Sequence, residues 1–179
     1  MAVANCLSTG ILAPCSDACC SGGINRIAIA KLEDVTSLTR DATDAVTAIV
    51  MNGVAVFYEI KYLDFSASLT QSVTVENNNT SIDQVVEFTI PCWSDTNRQR
   101  LQELLNCCCG NIVIVELMDG KTIILADPES LIWGKMKIRT IEQTTGAALA
   151  DPNQQVVTLG TFAAKYAVEF TGGWAAITF

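Results

Sequence analysis

Apolar and polar residues alternate along much of this chain, which is the pattern of β-strands that bury one face and expose the other. The longest example is QSVTVENNNTSIDQVVEFTI, residues 71 to 90. The polar centre of this stretch consists of Asn77, Asn78, Asn79, Thr80 and Ser81. The pattern predicts a long two-stranded ribbon, Ser66 to Pro91, whose tip stays in contact with water.

Two further pairs of apolar runs flank dipeptides that favour tight turns. Asn52-Gly53 lies between AVTAIVM and VAVFYEIKY, and Asp119-Gly120 lies between NIVIVELM and KTIIL. Both dipeptides tolerate the positive φ angles of a two-residue type I′ turn, so each predicts a β-hairpin. Additional strands are expected at GKMKIRT, QQVVTL and AAKYAVEF.

One stretch, SDTNRQRLQELLNCCCG, has the spacing of a helix. Ser94 is suited to cap its N-terminus, and Asp95 suits the positive end of the helix dipole. Gly110 is expected to stop it. The sequence therefore predicts a helix over residues 94 to 109 that packs one apolar face on a sheet, and that face consists of Leu101, Leu104, Leu105 and Cys108.

Strands thus outnumber helices, and 179 residues are enough for one domain with a sizeable core. We predict a mainly β fold, a β-sandwich or barrel with one packed α-helix and an N-terminal extension. Residues 1–23, which are rich in Cys, Gly and Ser, are expected to form that extension. Residues 24–179 are expected to form the β-sandwich or barrel domain.

The composition limits which activities and ligands can be expected. The chain has no histidine, 11 Lys and Arg, and a formal net charge of -8. So few basic side chains oppose binding to phosphate backbones, and without histidine there is no Ser-His or Cys-His catalytic pair. No phosphate-binding glycine loop or calcium loop is found. We therefore expect a protein that is not an enzyme and takes no cofactor, and we interpret the acidic pair Asp41 and Asp44 as solvated surface.

The eight cysteines fall into clusters. Their spacing does not match the paired knuckles of zinc sites, so no metal is expected. Buried apolar thiols and disulfides both remain open. Cys107 or Cys109 could meet Cys92 or the extension if the environment oxidises them. The candidate disulfide or interface thiols of the extension are Cys6, Cys15, Cys19 and Cys20.

Three basic residues alternate in GKMKIRT: Lys135, Lys137 and Arg139. In a strand they share one face, whereas Met136, Ile138 and Thr140 share the other. One interpretation is a solvated face. The other is a basic stripe that meets an acidic patch on a neighbouring copy.

No apolar run approaches the roughly 20 residues that a membrane-spanning helix needs. The N-terminus also lacks the positive charge that precedes the apolar part of a signal peptide. We expect no membrane partner, and synthesis in the cytoplasm.

The order of these elements resembles that of the tail tube proteins of tailed bacteriophages, a fold shared with the tubes of contractile injection systems. The resemblance covers residues 24 to 173. It implies a structural virion protein, synthesised in the host cytoplasm, that forms hexameric-type rings stacking into a hollow tube for genome passage. The implied partners are other copies and other virion proteins, with DNA only as passing cargo.

Mapped onto this sequence, the resemblance assigns the ribbon and its tip, residues 77 to 81, to contacts between subunits. It assigns the N-terminal extension to contacts between rings, although so many cysteines depart from the family's pattern. Two alternatives remain. One is another virion component, such as a tail completion, neck, baseplate hub or capsid decoration protein. The other is a ligand-binding β-sandwich with a cleft near Trp133 or Trp174.

Overall fold

The computed structural model describes residues 22–76, 79–92, 94–106, 109–125, 134–145 and 153–179. Within these ranges the chain forms eleven β-strands and one α-helix, α1 Asp95–Leu105. The predicted mainly β fold, a sandwich with one helix, is confirmed. The strands are β1 Ile24–Lys31, β2 Val35–Arg40, β3 Val46–Met51, β4 Tyr58–Ile60, β5 Ser68–Glu76, β6 Asn79–Pro91, β7 Asn111–Leu117, β8 Thr122–Leu125, β9 Lys137–Thr144, β10 Gln154–Ala163 and β11 Val168–Glu169.

The strands form three antiparallel sheets. A five-stranded sheet has the order β11-β8-β7-β1-β4, a four-stranded sheet has the order β5-β6-β10-β9, and β2 pairs with β3 as a separate hairpin. The five-stranded sheet lies in the middle, because its central strands are buried on both faces. The fold therefore has three layers, with the four-stranded sheet on one side and the β2–β3 hairpin on the other.

The first core fills the space between the two larger sheets. Alternate residues of β6 and β10 point into it, among them the fully buried Val86, Phe88, Val157 and Leu159. Leu101 of α1 closes one end of this core. The alternation that predicted the inner part of the ribbon therefore reports real burial on one face.

The second core lies between the five-stranded sheet and the β2–β3 hairpin, where Phe57 and Phe170 are its largest members. β1 and β7 contribute to both cores from opposite faces. Their paired residues combine a large with a small side chain on each face: Ala28 lies opposite Ile114, and Ile29 lies opposite Val113. Backbone hydrogen bonds to the C-terminal segment tie the hairpin to this layer, as from Thr171 N to the Val46 oxygen at 2.9 Å.

Helix α1 begins as predicted. Ser94 is its N-cap, and the Ser94 hydroxyl accepts a hydrogen bond from the Asn97 N–H at 3.1 Å. The helix ends at Leu105, earlier than the predicted Cys109. Leu105 is 49% exposed, so its placement on the apolar face was wrong. Cys107 and Cys108 lie outside the described residues.

The two predicted tight hairpins have different outcomes. Gly53 does take a positive φ of 59°. However, β3 pairs with the preceding strand β2, and β4 pairs with β1. The prediction of a hairpin at Asn52-Gly53 was therefore wrong. The hairpin at Asp119-Gly120 is confirmed by the pairing of β7 with β8. Its turn differs, because only Gly120 has a positive φ, 84°, where a type I′ turn would require two.

Three further differences concern element boundaries. Of the strand predicted over AAKYAVEF, only Val168–Glu169 form a separate strand, β11. Its first residue, Ala163, is the last residue of β10. β1 and β2 were not identified from the sequence. Gly23 already belongs to the body, because its carbonyl oxygen accepts a hydrogen bond from Met118 N at 3.2 Å. Residues 1–21 of the predicted extension lie outside the described residues, so the division of the chain stays a prediction.

Candidate subunit interface

The two edges of the four-stranded sheet are its most unusual feature. β5 has nine residues and pairs with β6, and β9 has eight residues and pairs with β10. Among the described residues neither strand has a sheet partner on its other side. β5 also carries no Lys, Arg or Pro, the residues with which proteins usually protect an exposed edge.

The edges also differ in charge. The one charged residue of β5 is Glu76, whereas β9 starts with Lys137 and follows Lys135. Strand directions alternate across the sheet, so β5 and β9 run in opposite directions. A copy rotated beside this one would present its β5 antiparallel to β9, which continues the hydrogen-bonding pattern across the boundary.

The ribbon extends beyond the body of the fold. Glu76 pairs with Asn79, and Asn77 and Asn78 lie outside the described residues. Thr80 and Ser81 were predicted to belong to the tip, but they are paired strand residues of β6. The strand pairing therefore continues into the polar stretch of sequence.

Apolar side chains near the ribbon's end are partly uncovered. Val73 is 44% exposed and Val75 is 67% exposed, although both lie on the face that nearer the body packs into the first core. A protein that stays alone gains nothing from these exposed valines, whereas a neighbouring copy could cover them.

The basic residues do not form one continuous stripe. A register shift in β9 pairs Ile138 with Leu159 and Thr140 with Thr158, which leaves Arg139 as the extra residue of a β-bulge. The alternation had predicted that Thr140 shares a face with Met136 and Ile138. Because of this bulge, Thr140 is exposed instead. Lys137 is exposed, and Lys135 is half-buried.

The bulge directs Arg139 across the outer face of the sheet to Asp83. The Arg139 Nη1 donates to Asp83 Oδ2 at 2.8 Å, and Nη2 donates to the other carboxylate oxygen. The guanidinium passes 5.0 Å from the centre of the Phe162 ring. It also lies where a Cβ at position 160 would be, so Gly160 leaves room for it. The charge of Arg139 is thus partnered within the chain, and Lys135 and Lys137 carry the interface hypothesis.

Two glutamines that were not singled out from the sequence hold the base of the ribbon. Gln84 is 2% exposed and its Nε2 donates to the Lys165 carbonyl oxygen at 3.0 Å. Gln71, opposite Gln84, accepts a hydrogen bond from the Ala167 N–H at 2.9 Å. Both side chains fasten the connection between β10 and β11. The available signal was a glutamine at an inward position of the alternating pattern.

The acidic pair Asp41 and Asp44 organises the β2–β3 turn. Asp41 accepts hydrogen bonds from the Thr43 hydroxyl and backbone N–H, which lower the pKa of its carboxyl. Asp44 lies 3.0 Å from the Lys165 ammonium, and this hydrogen bond lowers the pKa of Asp44. Both carboxylates remain at the solvated surface, as the sequence had indicated, and these partners hold them in place.

The remaining candidates are spread over the chain. Cys92 is exposed and has a positive φ of 61°, and Cys109 is half-buried. Trp174 packs against Phe179, with ring centres 5.5 Å apart. The residues predicted as thiol contacts or as part of a cleft that lie outside the described residues are Cys6, Cys15, Cys19, Cys20 and Trp133.

No protein-family model matches the chain, and comparisons with curated proteins and with solved structures find no match. In the described part of the chain no helix is long and apolar enough to span a membrane. Any functional assignment must therefore come from the geometry of the sheet edges and their surroundings.

Proposed function

We propose that this chain is a structural virion protein that assembles with copies of itself into rings, and that the rings stack into a hollow tail tube for genome passage. The observation that carries the proposal is the four-stranded sheet, whose two long edges have no sheet partner among the residues that the structure describes. These edges run in opposite directions and differ in charge. Pairing β5 of one copy with β9 of the next satisfies backbone groups that a single copy leaves exposed to water.

Three further points support a tube built of rings. A head-to-tail contact forms a ring when its rotation divides a full turn evenly, and a closed sheet has no remaining edge. The exposed Val73 and Val75 gain cover from a neighbouring copy. The net charge of -8 is compatible with DNA as a passing cargo, since like charges keep a phosphate backbone from adhering to the wall.

Electron microscopy of the purified protein, paired with light scattering, tests the proposal. Stacked rings or hollow tubes are the expected result. Closed single rings would favour another virion component, and a stable monomer at high concentration would refute self-assembly.

A matched pair of variants at one exposed position of β5 tests whether this edge is the contact. Thr70, Val85, Gly160 and Lys137 lie in one row across the sheet, so a copy that continues the sheet without a stagger places its Thr70 beside Lys137. Thr70→Lys should therefore bring two positive charges together and abolish assembly. Thr70→Glu makes a change of similar size but gives Lys137 an opposite charge, so assembly should persist. Lys137→Glu should restore assembly to Thr70→Lys. Equal behaviour of the two Thr70 variants would exclude the β5–β9 contact.

A further inference from the structure

A cavity of about 710 Å³ opens between the edge strand β4 and helix α1. This volume lies in the range of sites that bind small organic molecules. Its apolar walls belong to both sheets and to the helix, and they reach the end of the first core. The side chains that form these walls are Ile29, Ile60, Phe88, Ile90, Leu101 and Leu104.

One polar group in the wall has an unmet requirement. Asn111 is 1% exposed, and its Nδ2 donates to the Met136 carbonyl oxygen at 3.4 Å. Its Oδ1 is buried and has no hydrogen-bond partner in the described part of the chain. A buried amide oxygen without a donor is unfavourable, so such a group requires an explanation. A ligand that supplies an N–H or O–H is one.

A positive charge lies next to this acceptor. Lys31 pairs directly with Asn111 across β1 and β7, on the same face as Ile29. Two other cations at the cavity already have partners, Lys61 with Glu59 at 2.5 Å and Arg100 with Glu103 at 3.0 Å. Lys31 is exposed and forms no ion pair with any described residue. It is therefore available for an anion at the mouth of the cavity.

We propose that this cavity binds an amphiphilic carboxylic acid with a hydrogen-bond donor next to its carboxylate, as in an N-acyl amino acid. The apolar chain occupies the cavity between β4 and α1. The donor satisfies Asn111 Oδ1, and the carboxylate meets the Lys31 ammonium. The site is independent of the β5 and β9 edges, so it does not rest on self-assembly.

Titration calorimetry below the micelle-forming concentration compares three ligands with the same chain length. N-dodecanoylglycine has both polar groups, dodecanoate lacks the donor, and N-dodecanoylethanolamine lacks the carboxylate. We expect saturable binding of N-dodecanoylglycine at one site per chain, and about five- to tenfold weaker binding of the other two. Equal affinity for all three, or no saturable binding of N-dodecanoylglycine, would overturn the proposal.

Variants test which residue contacts each polar group of the ligand. Lys31→Met should weaken N-dodecanoylglycine about tenfold and leave N-dodecanoylethanolamine unchanged. Asn111→Ala should remove the advantage of N-dodecanoylglycine over dodecanoate. Lys121→Met, which removes an exposed lysine in the β7–β8 turn, is the matched control and should change nothing. Leu104→Trp should block the cavity, and circular dichroism checks its fold. Unaltered binding to Lys31→Met would refute the assignment.

Discussion

The interaction of Arg139 with Asp83 across the outer face of the four-stranded sheet allows a quantitative prediction. The two side chains are joined by two parallel hydrogen bonds, and 31% and 25% of their side-chain surfaces remain exposed. Ion pairs at a fully exposed surface contribute roughly 0.2–1 kcal/mol. The two-point geometry places this pair at the upper end of that range, at about 1 kcal/mol.

Arg139 has a second contact that Asp83 does not share. Its guanidinium lies 5.0 Å from the centre of the Phe162 ring, and such an exposed cation–π contact contributes about 0.5 kcal/mol. Arg139→Met should therefore lower the free energy of unfolding by about 1.5 kcal/mol, and Asp83→Asn by about 1 kcal/mol. The double variant should be no less stable than Arg139→Met alone, because the pair is already lost there.

Urea unfolding of the wild type, both single variants and the double variant measures this cycle. Each is measured at two protein concentrations, because self-association would make the apparent stability depend on concentration. A coupling energy below about 0.3 kcal/mol would show that the interaction is offset by its desolvation and ordering, and would refute the reasoning. In 1 M salt the coupling should fall, because part of it is Coulombic.

Two other residues give predictions from their local environment. Asp44→Asn keeps a residue that tolerates the φ of 69° but removes the charge facing Lys165. Because the pKa of Asp44 is lowered on folding from its usual 3.8, its contribution is present above that pH and lost as the pH falls through the folded value. The melting temperature of the wild type should exceed that of the variant at pH 7, and the two should converge in strong acid. Phe65 has a φ of 60° and is 90% exposed, so Phe65→Asn should raise stability by about 1 kcal/mol. A lower melting temperature in calorimetry would contradict this.

Features that depend on neighbours in sequence were predictable. The Ser94 cap follows from a hydroxyl placed three residues before the N–H that it accepts from, and Asp119-Gly120 does reverse the chain between β7 and β8. Asn52-Gly53 also turns the chain, but turn chemistry does not decide which strands pair. β3 pairs with β2 because this places Val46 and Leu38 together in the second core.

The candidate interface was less predictable. Alternation indicated that Val73 and Val75 share a face with core residues, yet nothing in that pattern reveals where the body ends and the ribbon projects. The bulge at Arg139 could not be predicted from GKMKIRT, because its residues alternate as they would in a regular strand. The cavity beside Asn111 depends on how β4 and α1 approach each other, which no local signal encodes.

The pairing of β1 with β7 explains how a strand buried on both faces finds its alignment. Where every position is apolar, hydrophobicity alone cannot distinguish one alignment from the next. Here side-chain size makes the distinction, since Ala28 and Ala30 face Ile114 and Ile112, while Ile27 and Ile29 face the smaller Val115 and Val113. A slip by one residue would crowd isoleucines in one core and leave voids in the other. The centre of the fold thus rejects misalignment through volume.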